Sequence, residues 1–591
     1  MSLKPLLTRW GSIDRSCPLA EYPRPQLKRN NWLCLNGVWQ YAICEGITKI
    51  EPDNYEGEIV VPFSPESFLS GVSRQLLPGQ TLWYRREIQI DAVKAGYRLL
   101  LHFGAVDQCC EVYVNDKKAG DHEGGYWPFY IDITELACAG NNVLTVAVTD
   151  NSDTGIEAYG KQKLQRGGIW YTAQSGIWQT VWLETVPEQY IESIKITPNC
   201  EDSMVGINLN FSLPEIPAVY ARVYAGNILV SEARLNSCIF SLSVPAFRYW
   251  SPDDPFLYTL KIIAGGDEIE SYFGMRQFGR ITGKDGLPRL ALNGKEIFHS
   301  GLLDQGYWSD GLYTAPSDEA VIWELSEIKR LGFNMLRKHI KIEPLRWYYH
   351  CDRLGILVWQ DFVSGGGPYG RFISQYLPFI GVHVRDSRII RGFGRSSAVG
   401  RVVFKRDMER TVNLLQNAVS LSVWVPFNEG WGQFDAKRIT DKLRVMDNTR
   451  LIDHASGWHD QNCGDFASRH VYFKPFRMKR DTINRIQALT EFGGYSLPGG
   501  HMASDNLFGY RMFNDKTAYN GALRQLYESE VIPAIERGLS AAIYTQLSDV
   551  EDEINGLFTF DRAELKADAE EVQLINRRLY ERNVDNQKKF L

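Results

Sequence analysis

Two glutamates stand out in this chain for where they fall. Glu429 ends the run LSVWVPFNEGWG (421–432), whose first half is continuously apolar with β-branched and aromatic members, the pattern of a strand buried on both faces. Glu491 sits near the end of a second such run at 488–493. A carboxylate at the carboxyl end of a buried parallel strand can serve as proton donor, proton acceptor or nucleophile, and two that face each other can divide those roles. A lone strand-end glutamate is as often a solvated acid capping the next helix. Here Asn428 directly precedes the acid, aromatic residues flank it, and the second glutamate lies downstream.

Bringing the two together needs a fold that collects strand ends. Beyond residue 290 apolar runs alternate with helical periodicity, the mark of βα units around a parallel sheet. The candidate strands are 297–304, 334–340, 357–362, 421–429, 451–456, 468–473, 488–493 and 541–547. Helices are predicted from Ser317 to Ile328 with a stop at Gly332, and at 344–354, 407–416, 435–447 and 519–537. Eight strands with intervening helices over 283–591 fit a TIM (β/α)8 barrel better than an open doubly wound sheet, and no Gly-rich nucleotide fingerprint follows any strand. In such a barrel the strand ends share one pocket. Read in order they are Asp304, Arg337 with His339, Asp361, Asn428 with Glu429, His454, His470 with Tyr472, Glu491, and Tyr544 with Gln546. A core that buried so many polar groups without use would bear a desolvation cost for each, so the gathering is itself the functional signal.

The first half reads differently. Short strand patterns such as 37–43, 82–90, 97–103, 110–114, 143–148 and 178–184 indicate an all-β sandwich over 1–189. Its 155–176 segment is long for a plain connection and rich in Gly, Gln and Lys. A second strand-rich block over 190–282 fits an immunoglobulin-like sandwich and holds nothing catalytic.

Composition narrows the class. At 591 residues the chain needs several domains, and 23% charged with 44% apolar residues is ordinary for a globular protein. A net charge of −6 gives no basic footprint for nucleic acid. No run is long and apolar enough for a helical membrane span, and the start lacks the apolar segment of a signal peptide. Ten cysteines without a C-x-x-C pair suggest neither a zinc site nor a disulfide framework, so a cytoplasmic location is expected.

A facing carboxylate pair has a well-understood use at a glycosidic bond. A retaining glycosidase protonates the leaving oxygen with one carboxyl group and attacks the anomeric carbon with the other, the two about 5–5.5 Å apart. Arg337 beside Glu491 would keep it ionised as nucleophile, and Glu429, among apolar neighbours and close to that negative charge, would hold its proton as the acid. Asn428 could bond the sugar 2-hydroxyl, and Tyr472 could steady the nucleophile.

The same residues carry a resemblance to glycoside hydrolase family 2, which includes β-galactosidases and β-glucuronidases. YVNDKKAGDHEGGYWPFYIDIT (113–134) and QSGIWQTVWLE (174–184) resemble its sugar-binding jelly roll, and FGMRQF (273–278) with LNGKEIFHSGLLDQ (292–305) resembles its junction into the barrel. NMLRKHIKIEP (334–344), WVPFNEGWG (424–432), LTEFGG (489–494) and YTQLSDVEDEINGLFTFDR (544–562) are similar to its barrel motifs. The resemblance implies Glu429 as acid/base and Glu491 as nucleophile, Arg337, His339 and Asn428 at pocket positions, and Tyr544 as an aromatic wall. Asp304, Asp361, Trp431 and His501 are then candidates for sugar recognition, and the jelly roll could lend Asp150 or its 155–176 loop to the rim. The Asn-Lys-x-Gly carboxylate-reading motif of family β-glucuronidases is not visible, nor is the magnesium pattern of large β-galactosidases, so no metal or cofactor is expected.

The expectation is a three-part, exo-acting retaining β-glycosidase with a carbohydrate substrate and galactose as the default sugar. Alternatives are a glucuronide, mannoside or arabinoside specificity, an inverting enzyme, and a non-catalytic carbohydrate-binding protein. The sandwich surfaces beside the barrel could serve a homo-oligomer.

Overall fold

The computed structural model describes residues 3–588. The amino-terminal sandwich faces a six-stranded sheet, with Gln80–Ile90, Gly140–Thr149 and Cys109–Val114 adjacent, against a four-stranded sheet that pairs Val181–Pro187 with Tyr97–Phe103. Leu82, Tyr84, Leu101, Phe103, Val112, Leu144 and Val146 fill the space between them, each on the inward face of a strand with period two. The next body sets the three strands Ile191–Asn199, Met204–Phe211 and Ile239–Ser243 against the four strands Ile228–Leu235, Val219–Ala225, Tyr258–Ala264 and Asp267–Phe273. Buried Arg29 joins the two sandwiches, with its guanidinium 2.9 Å from Glu184 on one side and 2.7 Å from Asp267 on the other.

The carboxy-terminal half is the predicted barrel. Its strands are β1 (His299–Asp304), β2 (Met335–Lys338), β3 (Leu357–Asp361), β4 (Leu421–Val425), β5 (Leu451–Ile452), β6 (Phe466–Val471), β7 (Ile486–Gly493) and β8 (Leu539–Thr545). They form one parallel sheet in the order β5-β4-β3-β2-β1-β8-β7-β6. The gap between β5 and β6 is bridged by Ser468, whose hydroxyl donates to Asp453 at 2.9 Å. Leu303, Met335, Trp359, Val423, Val425, Phe466 and Ile543 pack the interior, and Leu290 and Leu292 from the preceding hairpin plug the amino-terminal end. A plugged floor leaves the carboxyl ends of the strands as the open face.

Three elements differ from expectation. The helix predicted at 407–416 runs from Ala398 to Leu415, capped by Ser397, whose Oγ accepts from the Gly400 amide. Its first turns carry Gly400 and expose Val399 and Val402, so they lack an amphipathic signature. The helix predicted at 519–537 starts at Lys516 and is interrupted by a π turn at Tyr527–Val531. The fifth strand is only two residues long, because the chain turns away into the loop carrying His454 and His459.

Candidate active site

The turn after β4 sets Glu429 in place. Its φ is +49°, followed by Gly430 at +78°, so the chain turns sharply and aims the carboxylate over the barrel mouth. The Glu429 amide donates to Ser456 O at 3.0 Å, which ties the turn to the β5 loop. A Cβ on Gly430 would stand 2.8 Å from His459 and Phe393, so only glycine fits there.

Glu491 comes from β7 and meets Glu429 across the mouth. Oxygens of the two carboxylates and Nδ1 or Nε2 of His470 all lie within 4.8 Å of one another. His470 Nδ1 is 2.7 Å from Glu429 Oε1 and 3.5 Å from Glu491 Oε2. The Arg337 guanidinium lies 3.2 Å from Glu491 Oε1, donates to Asn428 Oδ1 at 2.8 Å, and is held from behind by two bonds to Asp361 at 2.9 and 3.0 Å. The Tyr472 hydroxyl donates to Glu491 Oε2. The tyrosine ring stacks on Tyr510 with centroids 4.3 Å apart.

Electrostatics separate the two acids. Burial pushes Glu429 up to about 7, opposed by Lys161 and Arg337 and helped by Glu553. Glu429 and Glu491 also repel one another, as the sequence suggests, and Glu553 adds a further like charge. Burial also raises Glu491, and Glu429 adds to that, but His470, Arg337 and the Tyr472 hydroxyl pull it back toward the charged form. Burial lowers His470 to about 4 and holds His339 well below its ordinary value, so both imidazoles are neutral at pH 7.

The strand-end residues do not all reach this site. Arg337, Asn428, His470 and Tyr472 gather around the glutamates, and His339 joins through Asp361, with Nδ1 2.8 Å from Oδ2. The Asn428 Nδ2 is buried with no partner among the described residues, a donor suited to a sugar hydroxyl. Trp431 stands at the rim, 6.4 Å from the His339 ring. Asp361 is corrected from sugar contact to support, because both its oxygens are taken by Arg337 and His339. Asp304 is also a correction. It is buried in an ion cluster with Lys338 at 2.5 Å, which in turn bonds Glu343. Tyr544 lies wholly in the core, its hydroxyl 3.5 Å from that of Tyr519 and its ring edge-on to Phe492. His501 is exposed and 3.3 Å from Asp561, and among the described residues it makes no hydrogen bond or ion pair with the glutamates. Asp150 stays inside the jelly roll, accepting from the Ser152 amide and the Ser175 hydroxyl.

The 155–176 loop does reach the site. Ala158 bridges to Gly365, the Gly160 amide donates to Ser364 O at 3.0 Å, and Trp170 packs on Trp431 with centroids 5.1 Å apart. Arg166 is 2.7 Å from Asp552, and the Tyr171 hydroxyl donates to Glu553 at 2.5 Å. Tyr369 stacks on Trp431 with centroids 6.2 Å apart and the Lys161 ammonium lies 5.2 Å from the same ring, so Lys161, Trp170, Glu553, Tyr369 and Tyr510 are site residues that strand-end reading misses, since none ends a barrel strand. The loop's unusual length is the signal for Lys161 and Trp170, whereas Glu553 lies within the 544–562 motif.

Among the described residues, the trio close enough to hold a metal ion is Glu429, His470 and Glu491. The guanidinium of Arg337 already occupies one side of that trio, which disfavours a resident cation.

Comparison with known proteins agrees with this architecture. Residues 74–187 match the sugar binding domain of glycosyl hydrolases family 2, and residues 189–276 match a second domain of glycosyl hydrolases family 2. A putative β-glucuronidase of Formosa agariphila is 29% identical over 293 residues, 47% of this chain and 34% of that protein. A β-galactosidase of Thermoanaerobacter pseudethanolicus is 24% identical over 301 residues, 47% of this chain and 39% of that protein. The chain thus spans well under half the length of these relatives. A solved β-glucuronidase from an uncultured Clostridium shares the fold over 94% of this chain and 99% of its own, with a TM-score of 0.72 at 16% identity. Two domain models matched in tandem place residues 74–276 in glycoside hydrolase family 2, and the barrel that continues them shares the fold of solved proteins similar to this chain.

Proposed function

We propose that this protein is a retaining β-glycosidase acting on terminal β-linked sugars, with Glu491 as nucleophile and Glu429 as acid/base. The observation that carries the reading is the facing pair, whose oxygens approach within 4.8 Å. That separation suits direct attack by one carboxylate, whereas an inverting enzyme needs about 6.5–9.5 Å to admit a water between acid and sugar.

The division of labour follows from the surroundings. Glu429, pushed up to about 7, retains a proton to give the leaving oxygen as Glu491 attacks the anomeric carbon. After the aglycone departs, ionised Glu429 takes a proton from the water that releases the sugar from Glu491. Arg337 and Tyr472 stabilise the Glu491 carboxylate before attack and on release. The free amide of Asn428 faces this work as a donor to the 2-hydroxyl, a contact that strengthens as charge develops on the ring.

Glu491→Ala is the direct test. The variant should fold, lose turnover of nitrophenyl β-glycosides, and regain part of it with azide as external nucleophile. Undiminished turnover in Glu491→Ala would remove Glu491 from that role. The names of the relatives support a galactoside and a glucuronide alike.

A further inference from the structure

Buried cations in this barrel come with partners. Arg337 has Asp361 and Glu491, Lys338 has Asp304 and Glu343, Lys341 has Glu343, Arg562 has Glu324 and Lys566 has Asp549. Buried Arg276 and Arg395 lack a carboxylate but donate to backbone carbonyls. Lys161 has neither. It is 6% exposed, and among the described residues its ammonium makes no hydrogen bond and has no carboxylate within ion-pair distance. It lies over two aromatic faces, 5.2 Å from the Trp431 centroid and 5.7 Å from that of Tyr171. Aromatic faces offset only part of the desolvation of an ammonium, which is rarely buried unpaired.

The loop backbone fixes this placement. Gly160, with φ +65°, approaches β2 so closely that a Cβ would stand 2.8 Å from Ile340 O, and the Lys161 carbonyl accepts from the Tyr171 amide at 3.0 Å. The Trp431 ring under the Lys161 ammonium is 6.4 Å from the His339 ring, which sets Lys161 at the mouth that holds the reactive pair, and its charge acts on Glu429, His339 and His470. Glu429 is not its fixed counter-ion, since it lies beyond ion-pair distance and must carry a proton when it acts as the acid.

We infer that Lys161 reads a negative charge on the substrate, and that the sugar is a uronic acid whose carboxylate completes the pair that the empty-handed ammonium lacks. This rests on the glycosidase reading above and names its substrate class. An ammonium is a point charge with three donors, suited to a carboxylate presented at one ring position. No neutral sugar offers a group that would compensate it equally. A sulfate ester shares that chemistry, and the test separates the two.

The full chain is assayed with nitrophenyl β-D-glucuronide, β-D-galacturonide, β-D-galactoside 6-sulfate, β-D-galactoside and β-D-glucoside. Wild type should favour a uronide over its matched neutral hexoside by about 100-fold in kcat/KM, and Lys161→Met should cut that preference about 30-fold, mainly through KM. Lys161→Arg should restore part of it. Equal losses on charged and neutral glycosides, with a displaced alkaline limb, would mean that Lys161 only tunes Glu429 and would overturn the inference. Wild-type preference for a neutral hexoside would overturn it too, and preference for the 6-sulfate would overturn the carboxylate assignment. If Lys161→Met does not fold, calorimetric titration of Glu491→Ala with the glucuronide and the galactoside reads the preference without altering Lys161. Failure of wild type to cleave any of the five would instead count against the glycosidase reading.

Discussion

Nδ1 of His470 lies 2.7 Å from Oε1 of Glu429, so the acid/base shares a hydrogen bond with a neutral imidazole. When Glu429 is ionised Nδ1 must carry the proton, and when Glu429 is protonated the bond can reverse with the imidazole in its other tautomer. Nε2 meets Ser456 Oγ at 3.1 Å, a hydroxyl that can either donate or accept.

The proton on Glu429 sets the alkaline side of activity. Its value of about 7 predicts that kcat/KM falls as pH rises through about 7, because the acid form is lost. Glu429→Gln should abolish that limb. It should also slow glycosides with poor leaving groups by about 100-fold or more while sparing activated aryl glycosides, since only the former need the proton. A limb that persists in Glu429→Gln would assign it to another group.

Tyr472→Phe removes a hydrogen bond that favours the charged form of Glu491. The Glu491 carboxyl should then titrate higher, moving the acidic limb of kcat/KM to higher pH. A bond to a charged acceptor contributes about 1.5–3 kcal/mol, so kcat/KM should drop about 10- to 100-fold. Steady-state kinetics across pH checks both effects.

Much of this was legible in the sequence because barrels place strand ends by rule. Arg337, Asn428, Glu429, His470, Tyr472 and Glu491 each follow an apolar run, and barrel closure brings them together. The rule fails for Asp304 and Tyr544, whose side chains turn into an ion cluster and the core, because a strand's last residues alternate sides. It is blind to Lys161 and Trp170, which arrive from another body through contacts hundreds of residues away in sequence. Glu553 was visible in a motif but not as a charge that acts on Glu429.

The loop that crosses from the jelly roll has its own test. Trp170 packs on Trp431 and lies under Lys163, 4.6 Å from its ammonium. Trp170→Ala should raise KM about 5- to 10-fold with a smaller change in kcat, as the aromatic contact of about 0.5–1.5 kcal/mol and the rim it holds are lost. Michaelis–Menten analysis of the variant beside wild type is sufficient.

The sandwich junction predicts a stability effect remote from chemistry. Arg29→Met leaves Glu184 and Asp267 with fewer partners and should cost about 3–5 kcal/mol in urea unfolding. Burial works to raise the Glu184 carboxyl, but Arg24, His102 and Arg29 outweigh it and hold the group well below the ordinary carboxylate range. A depressed carboxylate stabilises the fold above its unfolded pKa, and that contribution is lost as pH falls from there toward the folded value. The wild type should therefore lose stability below about pH 4.5, and Arg29→Met should show a shallower dependence there.

The central claim is a covalent glycosyl intermediate on Glu491. Incubation with a 2-deoxy-2-fluoro β-glycosyl fluoride, followed by proteolysis and peptide mass mapping, reads it directly. The account predicts one added fluorosugar on the peptide containing Glu491. Label on another residue, or full turnover of a cleavable substrate with an inverted anomeric product, would contradict it.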